Sequence, residues 1–107
     1  MDYKARTNKL QKQLTDPRLS VRTFGVDTAK RLAARIDEIS AATTLTDVSR
    51  FPPARLHALV GDKKGLFSVG ISSDYRLLFA GFNRSHQQIL DPTEIVTVVF
   101  IAVADYH

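Results

Sequence analysis

The sequence contains no cysteine, which excludes disulfide frameworks, thiolate zinc sites and cysteine nucleophiles. No apolar run approaches the roughly 18 residues of a membrane span, and the polar opening stretch from Met1 to Gln13 has no signal-peptide core. Internal repeats and low-complexity tracts are also missing. These absences lead to the expectation of a cytoplasmic protein that does not associate with membranes. A length of 107 residues is expected to form one domain over 1–107, too small for a multi-domain enzyme. With 44% hydrophobic and 24% charged residues, the composition is that of a chain that folds around a modest core.

What is present is basic charge, unevenly distributed. The formal net charge is +4, which favours polyanionic partners. Residues 1–64 hold 13 of the 15 Lys and Arg and 7 of the 11 Asp and Glu, a local balance of +6, whereas the remainder carries −2. Periodicity divides the chain at a similar place. Tyr3 to Ala5 reads as a short strand, and Thr7 as the N-cap of a helix with Leu10 and Leu14 on one face. Asp16-Pro17 offers the start of a second helix and Gly25 its stop. From Val26 to Ala42, Ala29, Leu32, Ala33, Ile36 and Ile39 recur at helical spacing, with Lys30, Arg31, Arg35, Asp37 and Glu38 mostly opposite. Leu45 to Ser49 can add one turn before Pro52-Pro53 forces extended backbone.

Beyond the prolines the period becomes two. Leu56, Ala58 and Val60 alternate with Arg55, His57 and Leu59, and Gly61 to Gly65 forms a glycine-bounded hairpin loop. Phe67, Val69 and Ile71 then share one strand face, Ser72-Ser73-Asp74 turns the chain, and Tyr75 to Phe82 forms the next strand. Asn83 to Thr93 reads as a loop, with room for a short strand at Gln87 to Leu90. Ile95 to Ala104, apolar on both faces, suits the centre of a sheet covered on one side by helices. The expected fold class is α+β, with N-terminal helices packed on a small, largely antiparallel C-terminal sheet.

Three segments in this order carry a resemblance: Arg55-Leu56-His57-Ala58-Leu59-Val60-Gly61-Asp62-Lys63-Lys64-Gly65, Tyr75-Arg76-Leu77-Leu78-Phe79, and Asp105-Tyr106-His107. Together they resemble the RelE/ParE superfamily of bacterial toxins, most closely its HigB-type branch, with its R-L-H-x-L-K-G-D-R-K-G stretch, W/Y-R-I/L-x-F strand and D-Y-H ending. The resemblance implies a RelE-like toxin fold and ribosome-dependent cleavage of mRNA that inhibits translation, without a metal or other cofactor. The implied partners are the ribosome, mRNA and a cognate HigA-like helix-turn-helix antitoxin, with operator DNA reached only through the antitoxin. As catalytic residues it implies His107, Tyr106, Asp105, Arg76 and His57. Where the family commonly has Lys before Gly-Asp, this sequence has Val60; Lys63 and Lys64 are the nearby RNA-binding candidates.

The chemistry suits those residue types. Cleavage through the 2′-hydroxyl needs that proton removed, negative charge held on the phosphorane and the departing 5′ oxygen protonated. Histidine titrates near neutral pH and can serve as base or acid, which makes His107 the first candidate; the alternative is a solvated chain end. Asp105 can orient that imidazole or simply end a strand at the surface. Tyr106 can stack on a base or pack at the sheet edge. Arg76 sits in an apolar run and requires an acceptor, met by a phosphate or by a structural pair with Asp74 or Asp105. His57 is a core histidine or a site residue. Lys4, Lys9, Lys12, Arg18, Arg22, Lys30, Arg31 and Arg35 fit ribosomal RNA contact or a solvated helix face. Two further readings stand beside the nuclease: a catalytically weakened or silent toxin-fold protein that binds an antitoxin and regulates transcription, and a gyrase-inhibiting ParE-like toxin. The D-Y-H ending disfavours the last.

Overall fold

The computed structural model describes residues 1–105. Three helices follow a first strand, β1 (Asp2–Ala5): α1 (Asn8–Thr15), α2 (Pro17–Phe24) and α3 (Val26–Ala41). Their boundaries follow from side chains that satisfy otherwise orphaned amides. Thr7 Oγ1 accepts from the Leu10 N–H at 3.1 Å to open α1. The Asp16 N–H closes that helix on the Lys12 carbonyl at 2.9 Å, while its carboxylate accepts from the Arg18 N–H at 3.0 Å to open α2. Gly25 serves both neighbours through its backbone alone, donating to the Val21 carbonyl at 2.8 Å and accepting from the Ala29 N–H at 3.0 Å. At the far end of α3 the Met1 amino group donates to the Ile39, Ser40 and Ala42 carbonyls, which puts positive charge at the helix's negative pole.

Four further strands complete one sheet: β2 (His57–Ala58), β3 (Phe67–Gly70), β4 (Tyr75–Phe82) and β5 (Thr97–Asp105). The order is β1-β5-β4-β3-β2, with β1 parallel to β5 and every other pairing antiparallel. The protein is therefore α+β, with helices followed by a mostly antiparallel sheet. Register aligns Phe67 with Phe79 and Phe79 with Phe100, so a row of rings crosses three strands. Centroids are 5.8 Å apart in the first pair and 6.3 Å in the second. All three rings are buried, with Leu10, Leu14, Leu32, Ile36 and Ile39 of the helices in the same core. Burial of each ring contributes about 1.5 to 3 kcal/mol.

The structure departs from the sequence reading at three places. The strand expected from Leu56 to Val60 pairs only at His57 and Ala58. The amides before it are committed to a loop, Arg55 N–H to the Phe51 carbonyl at 3.0 Å and Leu56 N–H to the Ser49 carbonyl at 2.9 Å, and a 3-10 turn begins at Gly61. Gln87 to Leu90 reduces to a single bridge between Gln88 and Phe82. β5, by contrast, lies inside the sheet as expected, because β1 pairs along its outer edge. Arg35, expected on the polar helix face and among the RNA contacts, is buried; its Nη1 pairs with Glu38 at 3.0 Å.

Candidate active site

Alternation along β3 and β4 separates the core from the site. Phe67, Val69, Leu77 and Phe79 turn toward the core. Ser68, Gly70, Arg76 and Leu78 therefore occupy the opposite face, where register sets Gly70 against Arg76 and Ser68 against both Leu78 and His57. Gly70 presents no side chain, and the segment from Pro53 to Arg55 packs over it. Arg76 Nε donates to Ser68 Oγ at 2.9 Å, and Nη2 donates to the Arg55 carbonyl at 3.2 Å. These bonds orient the guanidinium and leave Nη1 and one Nη2 hydrogen without an acceptor among the described residues.

The open groups face a cleft of about 400 Å³ lined by Arg55, His57, Lys63 and Arg76, together with Asp62, Ser72 and Ser73. Among the described residues, none of those four cationic or imidazole side chains lies in an ion pair. Two loops shape the cleft. Gly61 and Gly65 take φ values of +73° and +98°, a left-handed conformation that glycine adopts without strain, and between them the turn carries Asp62 and Lys63 to the rim. The loop from Ser49 to Leu56 supplies Arg55, itself at φ +47°, and docks on β3 through the Gly70 N–H to Ala54 carbonyl bond of 2.6 Å.

The structure thus brings together Arg76, His57 and Lys63 of the residues singled out in the sequence. His57 is exposed on a short edge strand, so the core-histidine alternative is discarded. Arg76 finds its acceptors in a hydroxyl and a backbone carbonyl. Lys64 is exposed beyond the cleft lining. Asp105 stands opposite Tyr75, while Ala104 stands opposite Arg76; Asp105 is not a lining residue of this cleft. Tyr106 and His107 lie outside the described residues. Sequence reasoning passed over Arg55, Ser68, Ser72 and Ser73. The signal for Ser68 was a lone hydroxyl in an apolar strand, and that for Arg55 its place at the head of the quoted motif.

A family model described as the RelE-like toxin of the type II toxin-antitoxin system HigB matches residues 6–93. The chain belongs to the HigB-like toxins. The match takes in the three helices, both site loops and β2 to β4, and stops before β5. Among curated proteins no match is found. The fold of this HigB-like toxin is consistent with that assignment, and membership in a type II toxin-antitoxin family implies an antitoxin partner. Among the described residues, no helix is long and apolar enough to cross a membrane.

Proposed function

We propose that this HigB-like toxin is a ribosome-dependent mRNA endonuclease that acts in the cytoplasm, inhibits translation and is held in check by a HigA-like helix-turn-helix antitoxin, through which alone it reaches operator DNA. The observation that carries the reading is the anchored Arg76 guanidinium, whose donors left unused among the described residues face a cleft that also holds Arg55, Lys63 and His57. Such a set suits a phosphodiester, because fixed donors aimed at the phosphorane stabilise charge as it develops. In this reaction the substrate's 2′-hydroxyl loses a proton and attacks phosphorus, and the bond to the 5′ oxygen breaks as that oxygen takes a proton. Arg76 holds the phosphorane, with Arg55 and Lys63 adding positive charge. His57, two strands from Arg76 in the sheet, exchanges a proton with one end of the reacting linkage. By the resemblance, His107 provides the other proton transfer, with Tyr106 and Asp105 beside it. No step in this scheme calls for a metal or another cofactor. Lys64 serves as an outer RNA contact.

The test is primer extension on mRNA incubated with the untagged protein, with and without programmed ribosomes, beside a variant ending at Ala104. Cuts that require both ribosomes and the complete C-terminal segment are expected. The absence of cuts from folded protein favours the second reading, a weakened or silent toxin fold that binds an antitoxin and regulates transcription. That reading has one specific support: Val60, 83% exposed, lines the cleft where the family commonly has Lys.

A further inference from the structure

Next to the cleft lie two more hollows that the mechanism above does not use. His57 lines the first cleft and also a neighbouring hollow of about 330 Å³, which Arg50, Leu56, Phe67 and Pro92 share. Arg50, Leu56 and Pro92 in turn line a third of about 430 Å³, walled by Phe51 and Thr93. The second shares His57 with the first, the third shares Arg50, Leu56 and Pro92 with the second, and all three border the loop from Ser49 to Leu56. Phe51, on the wall of the third, is 77% exposed in a chain whose other phenylalanines are buried or partly buried.

That exposure is built in. The Phe51 N–H donates to Ser49 Oγ at 3.0 Å, and its carbonyl accepts from the Arg55 N–H at 3.0 Å, so its backbone is fixed on both sides. The same loop is tied to Gly70 and Arg76 through the Ala54 and Arg55 carbonyls. On the far wall, the Asp91 carboxylate accepts from Thr93 Oγ1 at 2.7 Å and from its N–H at 3.0 Å, which fixes Pro92 and Thr93 in place. A solvent-facing ring on a fixed backbone, beside an Arg50 with no ion pair among the described residues, fits an unstacked nucleobase with its phosphate, since stacking is sequence-tolerant and needs only a π-face. An apolar protein segment would suit the ring but leave Arg50 and His57 without an anion.

We propose that Phe51 and Arg50 form a nucleobase subsite of single-stranded RNA, flanking the phosphate at Arg76. The inference rests on the RNA-cleaving reading of the adjacent cleft and assigns that substrate's flanking base. The base can belong to the message or to ribosomal RNA, and the test separates the two.

The chain has no tryptophan, so Phe51→Trp introduces a single indole reporter. Titration with a single-stranded RNA decamer is expected to quench its fluorescence saturably, and an abasic decamer of equal charge is expected not to. In the ribosome assay, Phe51→Ala is expected to lower kcat/KM for cleavage about tenfold through KM, with kcat little changed. Weaker binding of Phe51→Ala to vacant ribosomes as well would assign the base to ribosomal RNA; unchanged binding there would assign it to the message. Wild-type cleavage kinetics in Phe51→Ala overturn the subsite and leave the nuclease reading intact. Base-dependent quenching by a protein that cuts no message overturns the nuclease reading and keeps the subsite.

Discussion

Arg76 on the central strand donates to the Arg55 carbonyl at 3.2 Å, so the guanidinium fixes the loop that frames its own cleft. One side chain therefore holds two parts of the site together. The same contact explains why Arg76 tolerates its apolar strand: two of its donors meet acceptors within the fold, and the others find none among the described residues and face the cleft.

Replacing Arg76 is the first consequence. Arg76→Ala is expected to lower ribosome-dependent cleavage by more than about tenfold, the loss of one charge-stabilising contact in the transition state. Arg76→Lys keeps the charge but loses the fork that spans Ser68 and Arg55, and is expected to recover little. Cleavage rates of both variants, with circular dichroism to verify folding, decide this; wild-type rates in folded Arg76→Ala would remove it from the mechanism.

Ser68 tests the anchor rather than the charge. The residue is fully buried, and its hydroxyl accepts from Arg76 Nε. Ser68→Ala leaves that N–H without its acceptor, an expected cost of about 1 to 3 kcal/mol in chemical denaturation. Cleavage should fall by less than in Arg76→Ala, because the guanidinium remains but is less well held. A variant as stable as wild type would mean that the hydroxyl is not the anchor.

Gly70 tests the loop. A Cβ at this position would stand 3.2 Å from the Pro53 carbonyl oxygen and 3.5 Å from that of Ala54, both in the segment that carries Arg55. Gly70→Ala is expected to displace that segment, destabilise the fold by about 1 kcal/mol and depress cleavage by more than that loss accounts for. Equal activity at temperatures well below the melting transition would show that the loop yields without consequence.

Gly81 supplies a remote control. A Cβ there would lie 2.9 Å from Ile95 Cγ1 and closer still to Cδ1, and Ile95 is fully buried. Gly81→Ala is expected to cost about 1 to 3 kcal/mol through overpacking, with cleavage unchanged while the protein stays folded. A thermal melt together with the activity assay separates this effect from that of Gly70→Ala.

How much of this was legible in the sequence depends on which groups make each contact. Helix limits could be read because Thr7 and Asp16 cap with side chains, and the core face of β3 because Phe67 and Val69 alternate. Arg76 and His57 were visible as polar residues in apolar strands. The loop from Ser49 to Leu56 was not, since it is held by the carbonyls of Ser49, Phe51, Ala54 and Arg55, and a carbonyl is common to every residue type. For the same reason the short β2 read as a longer strand: its alternation continued where its amides had already been spent within the loop.

Val60 gives the last prediction. Its side chain is 83% exposed at the cleft, so a lysine there meets no packing restraint, and Val60→Lys is expected to change stability by no more than about 0.5 kcal/mol. An ammonium on this rim adds a phosphate contact beside Lys63. Cleavage should therefore rise, and its salt sensitivity should steepen by about one unit of slope. If the parent protein is inactive and Val60→Lys cuts mRNA on ribosomes, the missing charge alone accounts for the silence. If both cut equally, Lys63, Arg55 and Arg76 already suffice to hold the scissile phosphate.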